Sequence, residues 1–445
     1  MAASKHVAVL AFPFTSHAAT LLSLIRRISE AAPDVSFFFF STAQSNDSVF
    51  SKSEEHGKIR PYSVSNGLPE GYVFKGNFYE AAKYFVKALP GNFKSAIDKI
   101  VEETGKGFDC LVTDAFYWFG ADLAEELQVP WLPLWIAGPR SLFLHLETDK
   151  IRQYIKSYGS KEKTLDLFPE FSAIRACDLQ PEITSEDMDD PVTVMLHKMG
   201  LELPRATAIV GDSYEELDTT IVNMLRSRIQ KYLPVGPLFL TSQPPSFVDP
   251  HGCLEWLNKH QTASVVYIGF GTALKPPPHE LVALAEAMEE MGLPYLWSLK
   301  GEPEQELPRT FVERTRQKGK IVPWTPQRQV LGHPSVGVHV THGGWKSVME
   351  SILGGVPLIC RPFFADNQLN SRTVEAVWGI GLTVEGGVFT KEGTLKALNS
   401  ILFDEEGKKM RKKIEIHKEL VHKTVEPNSS STENFNTLVK IIREH

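Results

Sequence analysis

Four cysteines in 445 residues, at Cys110, Cys177, Cys253 and Cys360, supply neither a disulfide framework nor metal-ligand spacing. Cys110 and Cys360 sit in apolar, strand-like runs, which predicts buried thiols in a reducing cytosol. A basic excess is also lacking. The formal charge of −7 at pH 7 argues against nucleic acid, whose binders present a positive face. The run Lys408-Lys409-Met410-Arg411-Lys412-Lys413 reads as one solvated helix face. No apolar run approaches the roughly 20 residues of a membrane span, and no basic n-region with a cleavable apolar stretch opens the chain. A cytoplasmic protein is therefore expected, with the sequons at Asn46 and Asn428 unmodified. A dinucleotide fingerprint is missing too: Gly269-Phe270-Gly271 is followed by Leu274 where the third glycine belongs, which argues against a nicotinamide oxidoreductase.

What is present is ample apolar content, 42% of the chain, enough for two cores, since single cores seldom grow past roughly 250–300 residues. His6–Phe12, Val35–Phe40, Asp109–Thr113 and Trp131–Leu134 read as buried strands, separated by helical stretches such as Ala18–Ala31 and Gly120–Leu127. The rhythm restarts at Ser264–Ile268 and continues through Glu280–Met291, Tyr295–Leu299, Lys320–Val322, Val336–Thr341 and Leu358–Cys360. Strands alternating with helices predict an α/β class with two parallel sheets, each covered on both faces. The polar, proline-rich stretch Thr241-Ser242-Gln243-Pro244-Pro245-Ser246 suits a linker. The predicted organisation is a first domain over 1–240, a linker over 241–252, a second domain over 253–430 and a closing helical segment over 431–445. In that last segment Ser431-Thr432-Glu433-Asn434 reads as a capping box before Phe435, Leu438 and Ile442 at helical spacing. Open α/β sheets bind ligands at the carboxyl ends of their strands, so two facing domains would form a cleft with one ligand on each side.

The densest chemistry lies between Trp324 and Asn367. Val336–Thr341 runs as a strand into His342-Gly343-Gly344, and a helix begins near Trp345. Glycines let the backbone approach an anion, and the free N–H groups of the first turn with the helix dipole offset its charge. Ser347 adds a hydroxyl donor, Glu350 can accept from vicinal ribose hydroxyls, and Trp324 offers a face to a flat base. This combination points to a nucleotide-sugar. A second constellation joins two strand ends: His17, in Phe12-Pro13-Phe14-Thr15-Ser16-His17, and Asp114, in Leu111-Val112-Thr113-Asp114-Ala115-Phe116. A histidine removes a proton well near neutral pH, and an aspartate on its other nitrogen sets the tautomer and stabilises the imidazolium. A satisfied structural histidine is the competing reading of His17. Phe14, Phe116 and Phe364, with Thr15, Tyr79 and His145 as polar contacts, would suit a flat polyphenol, core packing being the alternative for each. Asp187-Met188-Asp189 lies in an acidic loop with no strand leading into it and reads as solvated charge, so no metal and no cofactor are expected.

Trp324-x-Pro326-Gln327, Leu331-x-His333, Thr341-His342-x-Gly344-Trp345-x-Ser347, Glu350, Gly355-Val356-Pro357 and Pro362-x-x-x-Asp366 closely resemble the signature box of the plant family 1 UDP-dependent glycosyltransferases. The resemblance implies the GT-B fold, two Rossmann-like domains facing a cleft, with the donor mainly on the second and the acceptor mainly on the first. It also implies that the closing helix packs back on the first domain, that His17 is the general base with Asp114 its partner, and that transfer inverts the sugar. Carried residue by residue, the nucleotide site comprises Trp324, Thr325, Gln327, His342, Gly344, Trp345, Lys346, Ser347, Glu350 and Thr272, the sugar being read by Asp366, Asn367 and Ile136. UDP-sugar would be a co-substrate, and a monomer is expected. Phe12-Pro13-Phe14, Leu68-Pro69-Glu70-Gly71, Ala137-Gly138-Pro139 and Pro276-Pro277-Pro278 resemble the flavonoid 3-O-glycosyltransferase branch, which implies a flavonol or anthocyanidin acceptor.

Three departures bear on the donor. Glucosyl members usually end the box with Asp-Gln, whereas this chain has Asp366-Asn367, one methylene shorter. Ile136 stands where related 3-O-glucosyltransferases place a threonine against the sugar's 6-hydroxyl. An unpaired hydroxyl there would cost ~1–3 kcal/mol, whereas a methyl would not. Together with the likeness of the Asp-Asn ending to flavonol 3-O-rhamnosyltransferases, these favour UDP-rhamnose. UDP-glucose is the alternative donor, and a silent UDP-sugar or flavonoid binder is the non-enzyme reading. Lys346 replaces an asparagine beside the phosphate and could pair with it or crowd it; Gly343 replaces a cysteine, a smaller residue that the turn is expected to tolerate.

Overall fold

A computed structural model describes residues 5–14, 16–50, 57–72, 78–160, 162–241, 248–271, 274–301 and 303–444, with residues 78, 79, 303 and 304 as backbone only. The chain divides into two compact units, one of Met1–Gly159, Pro181–Pro244 and Thr424–His445, the other of Ser160–Gln180 and Pro245–Lys423.

In the first unit, β1 (Lys5–Leu10), β2 (Val35–Thr42), β3 (Ile59–Val64), β4 (Cys110–Asp114), β5 (Trp131–Trp135), β6 (Ile209–Gly211) and β7 (Tyr232–Pro234) form a parallel sheet in the order β3-β2-β1-β4-β5-β6-β7. Phe37 to Phe40 on β2 are all buried, as covering helices on both faces require. Strand order reverses at β1, so the carboxyl ends of β1 and β4 form the switch point where such sheets bind ligands. The second unit repeats the plan with β8 (Val265–Gly269), β9 (Tyr295–Ser298), β10 (Gly319–Val322), β11 (Val336–Thr341), β12 (Leu358–Cys360) and β13 (Gly381–Thr383), ordered β10-β9-β8-β11-β12-β13. Its switch point lies between β8 and β11.

Three sequence expectations shift. Strands β3, β6, β7 and β13 were not expected. β3 is a sheet edge interrupted by Pro61, and the other three are three residues long, too short to show a period. Residues 160–180, assigned by chain order to a first domain over 1–240, belong to the second unit. There Arg372 Nε donates to the Ala173 carbonyl at 2.9 Å and lies 3.7 Å from the Asp178 carboxylate. The closing stretch joins the first unit from Thr424 rather than 431. Its helix spans Ser430–Glu444, and the side-chain cap is Ser429 Oγ, which accepts from Thr432 N–H at 3.2 Å. Ser431, expected to open a capping box, is inside the helix and donates to the Gly236 carbonyl instead. Phe435, Leu438 and Ile442 enter the apolar core of the first sheet, and the Arg27 guanidinium lies 3.8 Å from the Phe435 ring centre.

Candidate active site

At the switch point of the first unit, Leu10 of β1 is in register with Thr113 of β4, so the residues that follow them emerge side by side. His17 is the first residue of the helix His17–Ala31, and Asp114 closes β4. Nδ1 of His17 lies 2.6 Å from Oδ2 of Asp114, with the two side chains 12% and 1% exposed. The other aspartate oxygen accepts from Phe116 N–H at 3.0 Å, so the carboxylate is held from both sides. A carboxylate at Nδ1 selects the tautomer with the proton there, leaving the Nε2 lone pair free. Among the described residues no hydrogen bond reaches Nε2. Phe116 at 4.6 Å and Phe12 at 5.2 Å hold the ring in place, and Phe14 packs edge-on to Phe12 at 5.2 Å.

The fold thus gathers His17, Asp114, Phe14 and Phe116, as the sequence suggested. Thr15 and Thr272 lie outside the described residues, as does the side chain of Tyr79 on the helix Phe78–Ala88. His145 corrects the expectation of a presented polar contact: it is 2% exposed and packs edge-on to Trp135 at 5.6 Å. Ile136, just beyond β5, is half-buried and packs against the first unit's apolar core. Phe364 lies half-buried in the second unit, on the loop after β12.

The second unit's switch point carries the glycine turn. Gly343 has φ +78°, and a Cβ there would lie 2.5 Å from Ser371 Oγ. Glycine takes this left-handed conformation without strain, so the smaller residue is tolerated here, whereas a side chain would strain the backbone and displace the Ser371 hydroxyl. Gly344 caps the helix Trp345–Gly354 without a side-chain hydrogen bond, which leaves the first-turn N–H groups for an anion. The His342 ring fills the space over Gly271 and Gly344, where added Cβ atoms would approach it to 3.0 and 2.4 Å. Burial pushes His342 down to about 4, so it is a neutral hydrogen-bonding group near pH 7. Burial pushes the Glu350 carboxyl above its ordinary value, against the opposing pull of Lys346, exposed on the same first turn, and of the Gln327 amide.

Trp324, in the loop after β10, is 48% exposed, a free aromatic face at the site. Beside it a buried polar chain runs inward. Thr325 Oγ1 and Tyr267 Oη are 2.7 Å apart, and Tyr267 donates to Gln327 Oε1 at 3.0 Å. Gln327 Nε2 then donates to Ser347 Oγ at 3.1 Å and to Glu350 Oε2 at 2.7 Å. Tyr267, on β8, was missed by the sequence reading, because a tyrosine in an apolar strand looks like core. On the far side, Asp366 Oδ2 accepts from Asn370, whose amide also reaches the Gly343 carbonyl at 3.1 Å. Asn367 is 3% exposed, and its Nδ2 has no hydrogen-bond partner among the described residues. Ala365, immediately before this pair, has φ +53°, a costly conformation for a residue with a Cβ and one that recurs at ligand sites. Asp187 and Asp189 stand in an exposed loop where Asp189 N–H donates to Asp187. Among the described residues no group of three or more His, Cys, Asp or Glu side chains could hold a metal ion.

Comparison with known proteins places the chain in a family. Residues 215–427 match the family model for UDP-glucoronosyl and UDP-glucosyl transferase. The flavonoid 3-O-glucosyltransferase of Medicago truncatula is 52% identical over 98% of this chain and 96% of its own. The anthocyanidin 3-O-galactosyltransferase 3GT1 of Rhododendron delavayi is 48% identical over 98% and 97%. A crystal structure of a UDP-glucose: anthocyanidin 3-O-glucosyltransferase in complex with UDP superposes with a TM-score of 0.95 at 40% identity, covering all of both chains. The chain, with two Rossmann-like α/β units of the GT-B kind, belongs to the family 1 UDP-dependent glycosyltransferases.

Proposed function

We propose that this enzyme transfers a hexose from a UDP-sugar to the 3-hydroxyl of a flavonoid with inversion at the anomeric carbon. The observation that carries the reading is the His17–Asp114 contact of 2.6 Å, which leaves one imidazole nitrogen available as a base. His17 Nε2 takes the phenolic proton, the oxygen forms a bond to the anomeric carbon, and the bond from that carbon to the diphosphate oxygen breaks. Asp114 stabilises the imidazolium, as an aspartate does for a catalytic histidine. UDP leaves with its charge at the Gly344–Ser347 helix start and Lys346, the base on Trp324 and the ribose at Glu350 and Gln327. Asp366 and Asn367 read the sugar. Phe14 and Phe116 beside His17 give a flat acceptor aromatic surface. A silent binder would not need the paired base.

The relatives' names support glucose or galactose as the donor sugar. UDP-rhamnose is a second reading, favoured by the apolar Ile136 and the short Asn367 amide. A panel of UDP-glucose, UDP-galactose and UDP-rhamnose with kaempferol and quercetin, products identified by mass and fragmentation, decides between them. Hexose adducts from the first two donors are expected. A deoxyhexose adduct from UDP-rhamnose alone moves the assignment to the second reading, and no transfer from any donor overturns both.

The scheme needs no metal, so activity should survive excess EDTA; loss that Mg²⁺ or Mn²⁺ restores would overturn this part. A cytosolic monomer accompanies the proposal. The cytosolic part is supported by Cys110, Cys253 and Cys360 being buried free thiols and by the burial of the sequon residue Asn46, its amide donating to the Tyr62 carbonyl.

A further inference from the structure

Tyr267 touches no substrate in the scheme above, yet its hydroxyl sits where the hydrogen-bond directions of the nucleotide site are decided. The Gln327 amide nitrogen donates to Glu350 Oε2 at 2.7 Å, the direction that a carboxylate, acceptor-only when ionised, requires. That orientation turns the Gln327 oxygen toward Tyr267, whose hydroxyl must donate to it across 3.0 Å. Tyr267 has one proton and spends it there, so Thr325 Oγ1, at 2.7 Å, donates to the tyrosine oxygen. The amide nitrogen also donates to Ser347 Oγ at 3.1 Å. The serine oxygen thereby becomes an acceptor, and its proton is left to point elsewhere, at the helix start where the diphosphate would sit. Gly269 leaves the room this requires, since a Cβ there would lie 3.0 Å from Tyr267 Oη and 3.4 Å from Gln327 Oε1. Burial pushes the Tyr267 phenol up, which keeps it a donor at any working pH.

We propose that Tyr267 is a positioning residue that fixes the Gln327 amide in one orientation and so commits Ser347 as a hydroxyl donor to phosphate and Glu350 as an acceptor for ribose. The chain runs Thr325 to Tyr267 to Gln327 to the Ser347–Glu350 pair, every donor facing an acceptor. This rests on the nucleotide-site reading given above. Without the tyrosine hydroxyl the amide oxygen loses its donor, and the Gln327 side chain is free to swing away from Ser347 and Glu350.

The test is calorimetric titration of the full-length protein with UDP and with 2′,3′-dideoxy-UDP. Tyr267→Phe keeps the ring against His339, which it stacks on at 5.0 Å, while removing the hydroxyl. UDP affinity should fall roughly tenfold, the worth of one well-placed hydrogen bond, and the preference for UDP over the dideoxy analogue should shrink. Thr325→Val removes the upstream donor; because Thr325 also stands in the nucleotide site, its deciding readout, should Tyr267→Phe not fold, is a smaller shrinkage of the preference for UDP over the dideoxy analogue rather than the affinity itself. An unchanged preference for UDP over the analogue, with or without a lower melting temperature, overturns the proposal, since a purely structural tyrosine would give that result. If the unaltered protein does not bind UDP, the nucleotide-site reading fails instead.

Discussion

The two switch points have the same topology and opposite chemistry. At the ends of β1 and β4 the groups proposed to work are side chains: an imidazole locked by a buried carboxylate and framed by phenylalanines. At the ends of β8 and β11 the proposed nucleotide site is built mainly of backbone, with a glycine turn, an uncapped helix start and a buried polar chain beside them. A proton to be moved calls for one titratable group whose tautomer is set. A diphosphate to be held calls for close approach and many fixed dipoles, which Cβ atoms would obstruct. Parallel strands deliver both because their ends converge where the order reverses.

The largest effect should come from the first region alone. His17→Ala should lower kcat by about 10²–10⁴-fold, the contribution of a positioned general base, while the Kd for UDP measured by calorimetry stays within about twofold. Near-normal turnover would break the contrast between the two sites. Asp114→Asn should also be damaging, by favouring the wrong imidazole tautomer.

The complementary variant is Gly343→Ala. With φ at +78° and Ser371 Oγ 2.5 Å from the new Cβ, a loss of about 1–3 kcal/mol in stability is expected, with a raised KM for the UDP-sugar and kcat less affected. Adding Ser371→Ala should return part of the loss, because the nearest atom of that residue would then be its Cβ at 3.8 Å. Full additivity of the two substitutions in thermal denaturation would show that the clash is relieved some other way.

Acid should weaken the second region through its histidines. Burial holds His339 down at about 3 and His342 at about 4, below the ordinary value of 6.5. Between those values and pH 6.5 the unfolded chain binds protons that the folded one does not. Their contribution is therefore complete above pH 6.5 and is lost as pH falls toward the folded values, at about 1 kcal/mol per pH unit for each. The melting temperature should drop between pH 6.5 and 4.5. His339→Asn, which retains a partner for Ser351 in place of the 2.6 Å contact between Nδ1 and Ser351 Oγ, should flatten that slope.

Lys346 should give the smallest effect. A cation in the first turn opposes the helix dipole by about 0.3–1 kcal/mol, so Lys346→Asn should slightly stabilise the protein, weaken UDP binding a few-fold and reduce its salt dependence. Tighter UDP binding in that variant would mean that the lysine crowds the phosphate.

Sequence alone determined the elements that follow from short-range rules. Alternating apolar runs and helical periods gave two α/β units, and the limits of Val336–Thr341 and Gly120–Leu127 emerged unchanged. The segment from Trp324 to Asn367 announced a nucleotide-sugar site because its residues are close in the chain. His17 and Asp114, 97 residues apart, were legible only because each follows a recognisable strand. Tertiary structure decided what depends on which strands are neighbours. Tyr267 and Gln327 are separated by 60 residues and meet because the helix Gln327–Leu331 packs into one apolar cluster with β8; nothing in an apolar strand distinguishes that hydroxyl from a core tyrosine. The assignment of 160–180 to the second unit, the burial of His145 and Asn367, and the crowding a side chain would meet at position 343 have the same origin: each is set by atoms brought from distant parts of the chain. Periodicity records how a segment folds on itself, whereas contact between segments is a property of the packed sheet.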